Sequence, residues 1–201
     1  MELLKGGGTM PSKQSRVILG VLRSGKGFFS KVGSTIMNVG KLPDPVVAQL
    51  PTPGLQCESI DGLGVPAILL HPEQAAAQGK LILHCHGGAY VSGGLMQAKA
   101  IASLVCSAAK ISTLTFAYRL APEFPYPAAV DDAMGVWNAL MDGGIRPEDI
   151  ALAGESAGGN LCLAICQRLM AEHRPLPSCM VLLSPWCDLK QTGVSYTALQ
   201  K

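Results

Sequence analysis

Ile150-Ala151-Leu152-Ala153-Gly154-Glu155-Ser156-Ala157-Gly158-Gly159 decides the fold. Its first four residues are a short apolar run of the kind a buried strand uses. G-x-S-x-G follows, and a helical stretch then runs from Gly159 to His173. Strand, tight turn, helix is the setting in which a G-x-S-x-G serine becomes an exposed nucleophile. Small residues on both sides of Ser156 let the backbone turn that sharply. The turn leaves Ser156 at a helix N-terminus, where backbone N–H groups can stabilise developing negative charge.

A second segment supplies what a lone serine lacks. His84-Cys85-His86-Gly87-Gly88-Ala89-Tyr90 follows the apolar run Leu81-Ile82-Leu83. A strand that ends in H-G-G-small lets the backbone pass close to a bound carbonyl with its N–H groups unobstructed. The candidate oxyanion donors are the N–H groups of Gly87, Gly88 and Ala89, joined by that of Ala157 directly after the candidate nucleophile Ser156.

Two more segments complete an ordered set. Tyr118-Arg119-Leu120-Ala121-Pro122-Glu123 runs on into Pro125-Tyr126-Pro127-Ala128-Ala129-Val130-Asp131-Asp132, and Ser184-Pro185-Trp186-Cys187-Asp188-Leu189 lies beyond the serine. With H-G-G-A-Y and G-E-S-A-G-G-N, these four motifs over about residues 55–197 resemble the hormone-sensitive-lipase-like branch of the α/β hydrolases. The resemblance implies a serine carboxylesterase or lipase working through an acyl-enzyme on Ser156, with no cofactor and no metal. It also implies that His86 orients the oxyanion loop and is not the catalytic base. Glu155 stands where the family more often has aspartate, and Ala89 where it often has a third glycine; neither change removes a backbone N–H.

The relay partners are not legible. In α/β hydrolases the acid and the histidine follow the serine. The only later histidine is His173, and at about 1.5 Å per residue it lies at the far end of the helix that Ser156 opens. Asp188 belongs, by resemblance, to a structural segment. The resemblance therefore implies the N-terminal two thirds of an esterase, inactive alone. The rival reading is a non-catalytic remnant or a ligand-binding relative.

Alternation of strands and helices argues a three-layer α/β architecture with a mostly parallel sheet, ending after its sixth predicted strand. The predicted strands are 56–60, 65–70, 80–84, 111–116, 150–153 and 180–184; the predicted helices are 96–109, 127–141 and 157–173. Residues 55–201 form this hydrolase-like domain. Residues 1–54 form an extension with a cap-like helical segment and a proline-rich linker. Ile18, Leu22, Phe29, Val32, Ile36 and Val39 carry helical spacing; a cap over the acyl pocket and a helix docked on the sheet both fit it.

Composition sets further bounds. The 201 residues are 48% hydrophobic and 15% charged with a net charge of +2, as in a globular α/β protein. Residues 1–41 hold seven basic side chains against Glu2, a net +6, so the rest of the chain is acidic. That asymmetry suggests a peripheral lipid-surface contact through the N-terminal segment. Without aromatic–basic interleaving or a nucleic-acid motif, nucleic acid is not an expected partner. The seven cysteines form no C-x-x-C and several sit in apolar runs, as in a reducing, cytoplasmic setting. His84 and His86, two apart, lack a companion acid or histidine at metal-binding spacing. Val17–Leu22, bracketed by Arg16 and Arg23, is too short for a signal core or a membrane span.

Overall fold

The computed structural model describes residues 54–194. The expectations placed on 1–53, including the cap-like helix, most of the linker and the lipid contact, lie outside the described residues. Within them the order is β1 (Leu55–Ile60), β2 (Ala67–Pro72), β3 (Leu81–Cys85), α1 (Leu95–Ala109), β4 (Ser112–Phe116), α2 (Ala128–Asp142), a 3-10 turn (Pro147–Asp149), β5 (Ile150–Glu155), α3 (Ala157–Ala171) and β6 (Cys179–Leu183).

The six strands form one sheet in the order β1-β2-β4-β3-β5-β6. β1, β2 and β4 pair antiparallel; β4, β3, β5 and β6 pair parallel. The parallel part is covered on both faces, as its continuous apolar strands require. On one face Leu81, Leu83, Leu114, Phe116, Ile150 and Leu152 join the buried side chains of α2 and α3, with Trp137 1% exposed at the centre. On the other face the alternate residues Ile82, Ala151 and Ala153 meet Val105 and Ala109 of α1. The period of two that separates these sets also fixes which face each polar side chain at the strand ends must take.

The element boundaries shift in ways that bear on the site. β5 continues through Gly154 and Glu155, two residues beyond the expected end, because β3 and β6 hold both sides: Gly154 pairs with Cys85 and Leu182, and Glu155 with Leu183. α2 begins at Ala128, with Pro127 as its N-cap and not its first turn. α3 ends at Ala171, and His173 lies beyond it in a left-handed conformation. Asp132 pairs with Arg119, accepting from its backbone N–H at 2.8 Å and from its guanidinium at 2.8–3.0 Å. This carboxylate therefore ties the segment after β4 to α2 and is not a solvated helix face.

Candidate active site

Ser156 stands between β5 and α3 with φ 53° and ψ −119°. A non-glycine residue at positive φ is strained, and such strain survives only where the surroundings enforce it. Here the backbone is held at both ends: the Ser156 N–H donates to Leu183 O at 3.0 Å, and Ser156 O accepts from Trp186 N at 2.9 Å and Asn160 N at 3.2 Å. Close approach does the rest. A Cβ on Gly158 would stand 2.0 Å from Cys85 O, and one on Gly154 would stand 2.5 Å from Gly158 O. Only glycine allows the start of α3 to rest on the ends of β3 and β5.

The loop after β3 lies directly against this turn. A Cβ on Gly87 would be 3.3 Å from the Ser156 Cβ. Three successive carbonyls of the loop are anchored: His86 O by the Tyr118 hydroxyl at 2.7 Å, Gly87 O by His86 Nδ1–H at 2.7 Å, and Gly88 O by the Val91 and Ser92 N–H groups and the Ser92 hydroxyl. In a trans peptide the N–H points opposite to the C=O, so these anchors also aim the next amides. The Gly87 N–H donates to Glu155 Oε1 at 2.6 Å. It is engaged there, which separates Gly87 from the other three expected donors. The N–H groups of Gly88 and Ala89 meet no acceptor among the described residues. That of Ala157, in the first turn of α3, has no partner within the helix. Gly88 holds φ 118°, Ala89 φ 55° and Tyr90 φ 63°, so three successive residues curve the loop around one concavity.

His86 is 3% exposed, and its ring stacks on Tyr118 with centroids 4.1 Å apart. Burial pushes its pKa below the ordinary histidine value, against the opposing pull of the Gly87 carbonyl. Its Nε2 is buried without a hydrogen-bond partner among the described residues. His173 sits at the opposite end of α3, and no histidine among the described residues hydrogen-bonds to Ser156. Asp188 accepts from Thr192 and Gly193 in its own loop.

Three contacts had no expectation behind them. Glu155 links to His84, His84 Nδ1 meets Thr115 Oγ1 at 3.0 Å, and Tyr90 donates from its hydroxyl to Asn160 Oδ1 at 2.7 Å. Strand register was the available signal for the first two: His84 is the partner of Thr115 on one side and Ala153 on the other, and Glu155 is two residues past Ala153 on the same face. Tyr90 and Asn160 line a cleft of about 510 Å³ that also touches Phe124, Tyr126, Cys187 and Leu189. Ser156 is not in its wall, although Asn160 is one helical turn away. Among the described residues no group of three or more His, Cys, Asp or Glu is placed to hold a metal. No described helix is long and apolar enough to cross a membrane.

A sharp strand–turn–helix serine facing an anchored glycine loop is the arrangement to set beside known proteins. Residues 82–201 match the model of the alpha/beta hydrolase fold family. The chain belongs to that family. It is 37% identical over 162 residues to an esterase of Acinetobacter venetianus, covering 78% of this chain and 53% of that protein. It is 39% identical over 123 residues to an acetyl-hydrolase of Streptomyces hygroscopicus, covering 61% and 41%. Among solved structures, an esterase of the bacterial hormone-sensitive lipase family superposes with a TM-score of 0.70 at 32% identity, over 85% of this chain and 61% of that one. These likenesses put the chain in the hormone-sensitive-lipase-like branch. It spans about half the length of the curated relatives it matches.

Proposed function

We propose that this chain carries the nucleophile and the oxyanion hole of a serine carboxylic-ester hydrolase. The observation that carries the reading is the strained Ser156, set against a loop whose Gly88 and Ala89 amides are aimed by anchored carbonyls. Ser156 Oγ attacks the ester carbonyl carbon. The carbonyl oxygen takes the negative charge and accepts hydrogen bonds from the Gly88, Ala89 and Ala157 N–H groups. The C–O bond to the alcohol then breaks, the alcohol leaves with a proton, and an acyl-Ser156 remains for water to hydrolyse. A histidine must take and return the proton, and an acid must orient it. No described residue fills either role.

The relatives named as esterase and acetyl-hydrolase support a carboxylic ester as the substrate class. The cleft lined by Tyr90 and Asn160 offers one part of such an ester a partly aromatic wall. The test is a serine-reactive fluorophosphonate applied to the whole natural protein, followed by peptide mass analysis. The adduct is expected on Ser156 and absent from Ser156→Ala. An adduct on another serine overturns the reading.

A further inference from the structure

His84 takes no part in the chemistry above, yet it is 1% exposed and lies under the loop that chemistry depends on. We propose that His84, backed by Thr115, is a positioning residue: it holds the Glu155 carboxylate, which holds the Gly87 amide and so sets the direction of the Gly88 and Ala89 amides. This rests on the Ser156 reading.

Three neighbouring strands each give one polar side chain to the α1 face: Thr115 from β4, His84 from β3 and Glu155 from β5. His84 uses both ring nitrogens, Nδ1 to Thr115 Oγ1 at 3.0 Å and Nε2 to Glu155 Oε2 at 3.0 Å. All three residues are buried, Thr115 completely and Glu155 at 6% exposure. A buried carboxylate needs partners for both oxygens. Among the described residues Glu155 has no Lys or Arg in reach; it has His84 on one oxygen and the Gly87 N–H on the other.

The two ends of the 86–87 peptide are thus bolted in opposite directions, its C=O to Tyr118 and its N–H to Glu155. The next residues are Gly87 and Gly88, whose backbones rotate at little cost. With the carboxylate free to turn, the 86–87 peptide loses one of its two bolts, and the Gly88 and Ala89 amides are left with only the anchors on the Gly87 and Gly88 carbonyls to hold their aim. Pre-aimed donors are what make an oxyanion hole effective, since they need no reorganisation as charge develops. His84 acts on the reaction through this chain of bonds and touches no substrate. A buried pair that merely fills space would affect melting and leave turnover per folded molecule alone.

The experiment compares the parent with His84→Leu and His84→Gln in the whole natural protein on p-nitrophenyl acetate. Rates are normalised to folded, fluorophosphonate-titrated sites. His84→Leu is expected to lower kcat by about 10- to 100-fold, short of the ~10²–10³ for losing a donor outright, with KM changed less than ~3-fold. Gln places an N–H donor near the position of Nε2 and restores most of kcat. A ¹⁵N spectrum adds a readout independent of turnover: the Gly87 amide proton, on a 2.6 Å bond, resonates far downfield and moves upfield in His84→Leu. An unchanged kcat in His84→Leu, or an unmoved Gly87 amide, overturns the proposal. If His84→Leu does not fold, the Gly87 resonance of Thr115→Val decides: movement supports the linkage and constancy overturns it. Ser156→Ala separates the two readings. Retained turnover there sinks the ester-hydrolase reading and this one with it; a dead Ser156→Ala beside a fully active His84→Leu sinks this one alone.

Discussion

The backbone N–H of Gly87 donates to the side chain of Glu155, 68 residues later, at 2.6 Å. This one bond joins the loop after β3 to the residue immediately before Ser156, and it explains why H-G-G-A-Y and G-E-S-A-G-G-N work as one unit. The loop carries the candidate donors and the turn carries the candidate nucleophile. A hydrogen bond to a carboxylate is stronger than one between neutral groups, so the spacing between the two is set at the point where the chemistry needs it.

The first prediction follows from that pairing. In the whole natural protein, Ser156→Ala should lower turnover of p-nitrophenyl esters by about a million-fold, as nucleophile removal does in other serine hydrolases. The 201-residue polypeptide by itself should keep only what binding and the oxyanion amides provide, on the order of a thousand-fold over water. Steady-state rates on purified protein check both statements. Robust turnover by the isolated polypeptide would mean that a base lies within reach of Ser156 after all.

Gly158→Ala should cost about 3 kcal/mol or more, the upper range for forcing atoms into a packed site. The new methyl would have to stand 2.0 Å from Cys85 O, and two backbones cannot separate without moving α3 off β3. Gly135, also within a helix, has nothing within 4 Å of an added Cβ. Gly135→Ala should therefore raise stability by up to about 1 kcal/mol through helix propensity. Urea unfolding of the two variants gives the contrast; equal midpoints would contradict the close packing of the turn.

Much of this was readable from the sequence because apolar runs and turn residues mark it locally. The six strands and three helices follow from runs such as Leu81-Ile82-Leu83 and from the stripe that buries Trp137. The Ser156 turn was readable because G-x-S-x-G sits between a strand and a helix. What was not readable depends on register. His84 and Glu155 meet only because β3 and β5 are adjacent, parallel and aligned with His84 opposite Ala153; nothing within either motif states that alignment. The end of β5 was placed early for the same reason, since Gly154 and Glu155 look like turn residues until β6 pairs with them. Arg119 and Asp132 stand 13 residues apart and meet through a carboxylate that accepts from both backbone and guanidinium, a pairing set by where α2 packs and not by local spacing.

Acid stability should depend on Asp149. Its hydrogen bond from Arg146, and then that from Lys80, hold its carboxyl below the usual aspartate range. A depressed folded pKa means stability that is complete above the unfolded value of about 3.9 and lost as pH falls through the folded value. Asp149→Asn should therefore remove a stabilising contribution at pH 6 and flatten the dependence below about pH 4. Because its first partner, Arg146, is exposed to solvent, added salt should shrink the difference. Urea midpoints from pH 2.5 to 6, at low and high salt, check the sign; a larger gap between parent and variant at the acid end would be the wrong outcome.

The cysteines should divide by burial when alkylated at neutral pH. Cys57 and Cys187 are exposed, whereas Cys85, Cys106, Cys162 and Cys166 are buried. The thiolate is the reactive form. A hydrogen bond with Cys162, then burial, raises the Cys85 pKa well above the thiol range, and burial takes Cys166 to about 11. Brief iodoacetamide treatment should label Cys57 and Cys187 first, with the buried four following only in denaturant. Early labelling of Cys85, which lies under the Ser156 turn, would show that the end of β3 opens in the native state.

The last prediction concerns β6, which stands at one end of the strand order and, among the described residues, pairs only with β5. Its sequence Cys179-Met180-Val181-Leu182-Leu183 has no charge and no proline, the devices that protect natural edges. It is also incompletely covered: Met180 is 39% exposed, and the other four residues are only partly buried. A row of unpaired N–H and C=O groups beside apolar side chains is a template for another strand. The 201-residue polypeptide on its own should therefore self-associate through β6 at tens of micromolar. The best place to block it is Met180, because Leu182 packs against the main core and a charge there would damage the fold. Met180→Lys adds charge to the most exposed position of the strand and should shift the polypeptide toward monomer without lowering its melting temperature. Light scattering at several concentrations, parent beside Met180→Lys, measures this. A parent that stays monomeric, with a single cooperative melt, would show that the edge is already covered and that β6 is not an association site.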